Sequence, residues 1–256
     1  MPPRSADRAG YRSATGPPLP QPIGHPRHRG AAADSPSAAA PPHGYAPGRL
    51  PVSTQHSYDE IAAAYADRFQ HELRGKPLDR ALLDVFASEV EFTHPIADIS
   101  CGPGHIARYL NDLGLFTIGV DLSPRMIEIA AATHPGIEFR TGDMRKLDLA
   151  DHTFGGLVAF YSIIHVSPDD LPVAFAEFFR VLRPGAPLLL SFHIGDEVRH
   201  LDEMLGHAVD LDFHFYPRPA IESLLTAAGF EITATLERAH YPTEVATTRA
   251  YVYCRA

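Results

Sequence analysis

The chain has 256 residues, of which 45% are hydrophobic and 21% charged, a composition typical of a globular protein with one well-buried domain. Its net charge of −9 argues against a protein that coats nucleic acid, because phosphate binding needs a basic face. No long apolar run predicts a membrane span, and the two cysteines form no C-x-x-C pair, so a cytoplasmic protein without a membrane or nucleic-acid partner is expected.

Residues 1–50 differ in composition from the rest of the chain. They are rich in proline and alanine, carry six arginines against two acids and contain few large aliphatic side chains. Such a segment cannot bury enough apolar surface to offset its ordering entropy. We therefore predict a disordered tail over 1–50 and a folded domain over 51–256. A targeting peptide is the alternative, although the prolines oppose an amphipathic helix.

From Ser57 onward, helical and strand patterns alternate. A capping box at Ser57–Glu60 predicts the start of the first helix. The further predicted elements are, in chain order, helix 78–90, strand 96–99, helix 104–113, strand 115–120, a helix from Ser123-Pro124, strands 137–140 and 157–161, helix 168–182, strand 188–193, helix 219–228, and strands 230–236 and 247–254. This alternation requires a parallel sheet covered on both faces, so the fold class is an α/β layered sandwich.

The first predicted strand ends in a glycine-containing turn over residues 98–104. Gly102 and Gly104 let the backbone pass close to a ligand, and the next helix presents unpaired N–H groups and a positive dipole end. The second strand ends in Asp121, whose carboxylate can accept hydrogen bonds from both hydroxyls of a ribose. Ligands of parallel sheets bind at the carboxyl ends of the strands, so the two features together predict a cofactor that contains a nucleoside.

The identity of that cofactor follows from two further acids. Residues 102–107 satisfy the G-x-G-x-x-A fingerprint, so an NAD-dependent oxidoreductase is one alternative. Asp98, however, would repel a pyrophosphate, whereas its charge is favourable beside an ammonium group. After the third strand, Asp143 can accept from an adenine amino group and Met144 can cover the ring. These details favour a cationic adenosine compound over NAD.

Four motifs in order resemble the class I S-adenosylmethionine-dependent methyltransferases, specifically those of bacterial small-molecule type. They lie at residues 98–104, 120–126, 142–144 and 181–185. The resemblance covers roughly 58–255 and implies a Rossmann-like three-layer sandwich with a seven-stranded, mostly parallel sheet whose last strand is antiparallel. It also implies S-adenosyl-L-methionine as cofactor and a small acceptor from specialised metabolism. Ser100 departs from the pattern, because the family usually has its first glycine there.

The resemblance also implies which residues bind the cofactor. Asp98 and the turn that follows would hold the methionine part, Asp121 the ribose, and Leu122, Asp143 and Met144 the adenine. The implied cofactor-binding residues are Tyr65, Asp98, Ser100, Cys101, Gly102, Gly104, Asp121, Leu122, Met126, Gly142, Asp143, Met144 and Phe160. In the family the segment before the first motif forms a lid, so Tyr58 would close the acceptor pocket. Packing of both tyrosines into the core is the alternative.

Methyl transfer needs a base only when the acceptor must lose a proton. The candidates for contact with the acceptor are Tyr161 and His165 after the fourth strand and His193 after the fifth, because the ordinary pKa of histidine lies near neutrality. The acceptor pocket is predicted to be completed by the segment 195–218, through His214, Phe215 and Tyr216. Such a pocket suits an aromatic molecule, although an aromatic run is more often plain core.

No spacing of metal ligands is convincing, so no metal site is predicted. A third possibility is a protein of methyltransferase fold that binds the cofactor and either catalyses a different reaction or serves as a partner subunit.

Overall fold

The computed structural model of the protein describes residues 53–256. These residues form six α-helices and nine strands, which are, in chain order, α1 (Thr54–Phe69), α2 (Pro77–Glu89), β1 (Ile96–Ile99), α3 (His105–Asp112), β2 (Thr117–Asp121), α4 (Pro124–Thr133), β3 (Glu138–Thr141), β4 (Gly156–Phe160), α5 (Leu171–Val181), β5 (Pro187–His193), β6 (Val198–Met204), β7 (His207–His214), α6 (Arg218–Ala227), β8 (Glu231–Arg238) and β9 (Arg249–Arg255). The predicted tail over 1–50 lies outside the described residues and stays a prediction.

Seven of these strands form one sheet in the order β3-β2-β1-β4-β5-β9-β8. Neighbours from β3 to β5 are parallel, whereas β9 runs antiparallel to both β5 and β8. The predicted mostly parallel sheet with an antiparallel last strand is therefore confirmed. The strand order reverses between β1 and β4, and in open α/β sheets this is the place where ligands bind.

Helices cover both faces of the sheet. Successive strand residues point to opposite faces, so Leu157 packs with α5 and α6, whereas Val158 packs with α2 and α3. The first face buries Phe175 and Phe178 of α5, and the second buries Phe86 of α2. The expected three-layer sandwich is confirmed, and its two cores hold the strand ends in fixed positions.

Two predicted helix starts are wrong. Helix α1 begins at Thr54, because the side chain of Ser53 accepts a hydrogen bond from the backbone N–H of His56. Ser57, predicted as the cap, is instead fully buried within the helix and accepts a hydrogen bond from Asp210 of β7. Helix α5 begins at Leu171 rather than at residue 168, because the preceding residues form a turn in which Asp170 N–H donates to the carbonyl of Ser167.

The segment 195–218 contains an antiparallel hairpin that the sequence analysis missed. Strands β6 and β7 pair with each other and with no strand of the main sheet. The hairpin packs on α1, where Ile61 joins Val209 and Leu211 in a small separate core. The hairpin and α1 together therefore form a second wall above the carboxyl ends of the strands. No helix within 53–256 combines the length and apolar character that crossing a bilayer requires.

Candidate active site

A cavity of about 950 Å³ lies at the carboxyl ends of the parallel strands, beneath α1 and the hairpin. Its wall includes most of the residues that the sequence predicts for the site. Those residues are Tyr58, Tyr65, Asp98, Ser100, Cys101, Gly102, Asp121, Leu122, Met126, Gly142, Asp143, Met144, Phe160, Tyr161, His165 and His193. The three motif acids, Asp98, Asp121 and Asp143, thus converge on one space. Their individual roles in binding stay predictions.

The turn after β1 has the backbone shape that close approach requires. Ser100 has a φ of 59° and Gly102 a φ of 53°, both in the left-handed region that favours glycine. Ser100 therefore stands where a glycine is easiest to accommodate. The N–H of Gly102 donates to a carboxylate oxygen of Asp121 at 2.8 Å, which joins the first turn to the end of β2. A Cβ added at Gly102 would lie 3.8 Å from the ring of Tyr65, so α1 covers this turn directly.

Gly104 has a packing role instead of facing the cavity. It has a φ of 81°, and a Cβ added there would lie 2.7 Å from the ring of Phe139 on β3. The absence of a side chain lets α3 approach β3, as close helix–sheet packing requires. Of the two glycines expected to serve the approach of a ligand, Gly102 lines the cavity and Gly104 does not, and the role of Gly104 in binding stays a prediction.

Asp98 is a buried carboxyl group with an exposed fraction of 1%. Its Oδ2 accepts a hydrogen bond of 2.8 Å from the N–H of Ala107, in the first turn of α3. Burial raises the pKa of Asp98 to about 7, against the lowering influence of His105 and of this hydrogen bond. A positively charged partner at this carboxylate would reverse the effect of burial, because an opposite charge favours the ionised form.

Asp121 is held by two backbone N–H groups at the end of β2. Its Oδ2 accepts from Gly102 and its Oδ1 from Ser123, at 2.8 and 2.9 Å. Burial raises the pKa of Asp121 to about 6, and the charge of Asp59 on α1 adds to this increase. Both oxygens keep lone pairs for hydroxyl donors, since a carboxylate offers about four acceptor positions.

Asp143 has a partner that the sequence analysis did not foresee. The guanidinium of Arg145 donates to both its carboxylate oxygens, at 2.7 to 3.1 Å, and also pairs with Asp170. The hydrogen bonds from Arg145 lower the pKa of Asp143. Arg145 itself lines the cavity, so this end presents an ion pair and not a lone acid. An adenine amino group would share Asp143 with Arg145.

Helix α1 closes over the cavity through a tyrosine–histidine contact. The Nδ1 of His165 lies 2.8 Å from the carbonyl oxygen of Asp212 and therefore carries the proton that it donates. Its Nε2 then accepts from the hydroxyl of Tyr58 at 2.7 Å. Burial lowers the pKa of His165 to about 4, so the ring is neutral near pH 7. Because both nitrogens are engaged, His165 fastens the lid in this arrangement and has no nitrogen left for an acceptor.

His193 lies at the end of β5, and only one of its two ring nitrogens makes a hydrogen bond to a described residue. Its Nδ1 is 2.9 Å from the hydroxyl oxygen of Thr247, whereas no residue within 53–256 makes a hydrogen bond to its Nε2. The rings of Tyr161 and Phe215 lie on either side, with centroids 5.1 and 5.4 Å away. Burial, followed by the charge of Arg249, lowers the pKa of His193 to about 4. The imidazole is therefore neutral near pH 7, and it is a weaker proton acceptor than an exposed histidine.

The predicted acceptor residues of the aromatic run lie outside the cavity wall. Phe215 stacks behind His193, and Tyr216 donates its hydroxyl hydrogen to the carbonyl of Val166. His214 stacks on Tyr216 with a centroid distance of 6.0 Å. Phe213, an aromatic residue of the same run, does line the cavity and contacts the ring of His165. Residues 214–216 thus lie behind the wall of this cavity, and their contact with an acceptor stays a prediction.

Sequence reasoning also missed a buried ion network beside His193, formed by Glu72, Lys76, Asp79, Arg238, Glu244 and Arg249. Arg238 pairs with Asp79 at 3.1 Å and with Glu244 at 2.7 Å. Lys76 pairs with Glu72 at 2.8 Å and lies over the ring of Tyr161. The only sequence signal was a charged residue inside an apolar strand, namely Arg249 in the run 247–254.

Comparison with known proteins finds methyltransferases that are similar to the part of the chain carrying the motifs. Residues 96–185 match the family described as Methyltransferase domain. A malonyl-[acyl-carrier protein] O-methyltransferase from Serratia marcescens is 28% identical over 156 residues, which are 59% of this chain and 60% of that protein. A demethylmenaquinone methyltransferase from Chlorobaculum parvum is 32% identical over 140 residues, 52% of this chain and 56% of that protein. The chain therefore spans less than two thirds of the length of either relative.

A solved structure shares the fold. The crystal structure of a SAM-dependent methyltransferase from Methanosarcina mazei matches 67% of this chain and 96% of that chain, with a TM-score of 0.60 and 22% sequence identity. At this identity the likeness concerns the architecture of the sheet and its helices.

Proposed function

We propose that this protein is a class I, S-adenosylmethionine-dependent methyltransferase that transfers a methyl group from S-adenosyl-L-methionine to a small molecule, because residues 96–185 match a methyltransferase domain and the similar proteins are methyltransferases. The observation that carries the proposal is the convergence of Asp98, Asp121 and Asp143 on one cavity at the point where the strand order reverses. A nucleoside with a cationic substituent fits three acids better than a pyrophosphate does, because like charges repel.

The residues of the cavity fit this cofactor. Asp98 is a buried carboxyl group with one oxygen bound by Ala107 and no salt-bridge partner within 53–256, which suits the ammonium of a methionine moiety. Asp121 retains lone pairs for two ribose hydroxyls, and Leu122 and Met144 provide apolar surface for adenine. When bound, the cofactor supplies an activated methyl group on a positively charged sulfur. Nucleophile, methyl carbon and sulfur must then align in a space without water, and we propose that the lid contact of Tyr58 with His165 helps to cover that space.

The acceptor binds at the other end of the cavity, below the hairpin. Phe213 and Tyr161 line this end together with Val245 and Thr243, so a small molecule with a flat, aromatic body is the acceptor that the wall favours. We further propose that the acceptor belongs to specialised metabolism and that the protein acts in the cytoplasm. Where the acceptor must lose a proton, His193 is the proposed base because its Nε2 has no partner within 53–256, although its lowered pKa makes it a weaker base than free histidine.

Calorimetry distinguishes this function from the alternative of an NAD-dependent oxidoreductase. We expect S-adenosylhomocysteine to bind at micromolar concentration and NADH to bind far more weakly. The matched pair Asp121→Asn and Asp112→Asn serves as the control, since Asp112 is an exposed acid on α3 outside the cavity. Tight binding of NADH alone would overturn the proposal.

A second assay tests for catalysis. Incubation with S-adenosylmethionine and a panel of small phenols, amines and carboxylic acids is followed by mass spectrometry, and the expected product has gained one methyl group. Binding of the cofactor without any methylated product across the panel would favour a methyltransferase-fold protein with another role.

A further inference from the structure

Arg249 is a buried cation in the wall of the cavity. It is the first residue of β9 and lies opposite His193 in the pairing of β5 with β9. Only 3% of its surface is exposed, yet it lines the same cavity as Asp98 and Asp121. A buried guanidinium is destabilising unless other groups replace the hydrogen bonds that it loses from water. Donors of Arg249 that have no partner in the protein therefore indicate where a ligand would bind.

The partners of Arg249 fix its orientation and leave part of it unsatisfied. Its Nη1 donates to the carbonyl oxygens of Val245 and Thr247, at 3.0 and 2.6 Å. Its Nε lies 3.3 Å from a carboxylate oxygen of Glu244, in a geometry that makes no hydrogen bond. No group within 53–256 accepts a hydrogen bond from Nη2. The Nη1 atom is thus held by two backbone carbonyls, whereas the N–H groups of Nε and Nη2 make no hydrogen bond to the described residues.

The nearby carboxylates are bound to other cations. Both oxygens of Glu244 accept from Arg238, at 2.7 and 2.9 Å, and one of them also lies 3.3 Å from Lys76. Asp79 pairs with Arg238 as well. Among the cations of the buried ion network, Arg249 is therefore the one whose charge is least compensated by the protein.

We infer that Arg249 binds a carboxylate group of the methyl acceptor, so that the acceptor is a small organic acid. This inference rests on the proposed function and specifies its substrate class. A guanidinium held at one end offers its remaining donors in a plane, and a carboxylate matches that plane better than a hydroxyl or an amide does. The ring of Tyr161, whose centroid lies 5.1 Å from that of His193, lines the same cavity and offers an aromatic surface to the body of the acceptor.

The carboxylate of the cofactor itself is a poorer candidate for this partner. In S-adenosylmethionine that carboxylate is attached to the same carbon as the ammonium group, which the proposed function places at Asp98 on β1. In the sheet, β9 is the third strand from β1, in the order β1-β4-β5-β9. Neighbouring strands lie about 4.8 Å apart, so the two positions are separated by roughly 14 Å. Arg249 therefore belongs to the acceptor end.

The test compares two probes that differ in charge and little else. The full chain is saturated with S-adenosylhomocysteine at pH 7.5 and titrated with benzoate or with benzamide, and binding is followed by ligand-observed NMR. We expect benzoate to bind about tenfold more tightly than benzamide, since a hydrogen bond to a charged group is stronger than a neutral one. Arg249→Met is expected to abolish this preference and to leave the affinity for S-adenosylhomocysteine unchanged.

Two further variants make the result specific. Arg218→Met removes an arginine of α6 that lies outside the cavity, and it should keep the wild-type preference. Arg249→Lys keeps the positive charge and should keep part of the preference, even if Arg249→Met does not fold. General loosening of the site would weaken both probes equally and leave their ratio unchanged.

Equal affinity of the wild type for benzoate and benzamide would overturn the inference, as would an undiminished preference in Arg249→Met. A loss of S-adenosylhomocysteine binding in Arg249→Met would also overturn it, because the cation would then serve the cofactor. Failure of the proposed function is distinguishable, since the wild type would then bind no S-adenosylhomocysteine at all.

Discussion

Replacing Asp98 by asparagine should stabilise the free protein and weaken its binding of the cofactor. The substitution keeps the shape of the side chain and an oxygen that can accept from the N–H of Ala107, but it removes the charge. Burial raises the pKa of Asp98 in the folded protein, so folding favours the protonated form. The ionised carboxylate is unfavourable in the empty site because it is buried without a cation, and it becomes favourable when a ligand cation binds beside it.

The size of the first effect follows from the pKa. The pKa of Asp98 is raised from 3.8 to about 7, and one pKa unit corresponds to about 1.4 kcal/mol, so ionised Asp98 destabilises the fold by at most about 4 kcal/mol. The stability that the protonated group contributes is fully present below pH 3.8 and is lost as the pH rises to about 7. Asp98→Asn should therefore match the wild type near pH 4 and exceed it increasingly up to pH 8 in urea unfolding.

The second effect has the opposite sign. Loss of a charge-assisted hydrogen bond to the ammonium group weakens binding by about 1.5–3 kcal/mol, which is about 10- to 100-fold in Kd. Calorimetry with S-adenosylhomocysteine at pH 8 measures it, with Asp112→Asn as the matched control on α3. If Asp98 served only the structure, its replacement by asparagine would lower both the stability of the protein and its affinity for S-adenosylhomocysteine. Unchanged affinity in Asp98→Asn would refute the assignment of this carboxylate to the cofactor.

Three other variants test the remaining parts of the site. His193→Gln should lower kcat at least 100-fold and leave the Kd of S-adenosylhomocysteine unchanged if the acceptor must lose a proton, and unchanged kcat would exclude His193 as its base. Tyr58→Phe leaves the Nε2 of His165 without its donor, so thermal unfolding should show a loss of about 1 kcal/mol, and an unaltered Tm would show that the contact does not fasten the lid. Arg238→Met leaves Asp79 and Glu244 buried without their main cation and should lower stability by about 3–5 kcal/mol. Burial raises the pKa of Glu244, but the hydrogen bonds from Arg238 and from the N–H of Tyr241 and the charges of Lys76 and Arg249 together lower it from 4.5 to about 2. This stabilisation is therefore present above pH 4.5 and lost as the pH falls to about 2. Acid unfolding of the wild type and the variant should accordingly converge at low pH, and parallel curves would contradict the role of Glu244.

The sheet and the cofactor end of the cavity were predictable because their signals are local. Each strand end carries its own motif, and the topology of a parallel sheet brings those ends together without further information. The turn at Gly102 and the acid at Asp121 are of this kind. Ser100 also shows why the position usually holds glycine, since its backbone is left-handed.

The hairpin and the start of α1 were not predictable in this way. Strand β6 is exposed along almost its whole length, so it lacks the alternation that marks a half-buried strand. Its turn consists of Leu205 and Gly206, both with positive φ, but leucine is not a residue that signals such a turn. Ser57 resembles a cap locally, and only its contact with β7, far along the chain, shows otherwise.

The buried ion network escaped prediction for a related reason. Asp79, Arg238 and Glu244 come from α2, from β8 and from the loop before β9, and no spacing in the sequence connects them. Charged residues are mostly exposed, so each one read singly suggests a solvated position. They come together only in the folded sheet, in which β9 lies between β5 and β8, and the sequence does not show that order.

The backbone of Tyr161 connects the end of β4 to the end of β5, on which His193 lies. With a φ of 51°, it carries a left-handed backbone at the end of β4, a conformation that is unfavourable for a bulky residue by about 1–3 kcal/mol. Its N–H donates to the carbonyl and hydroxyl oxygens of Ser191 on β5. These hydrogen bonds join the carboxyl ends of β4 and β5. Ser191 lies two residues before His193, so this contact fixes the position of His193 relative to the end of β4.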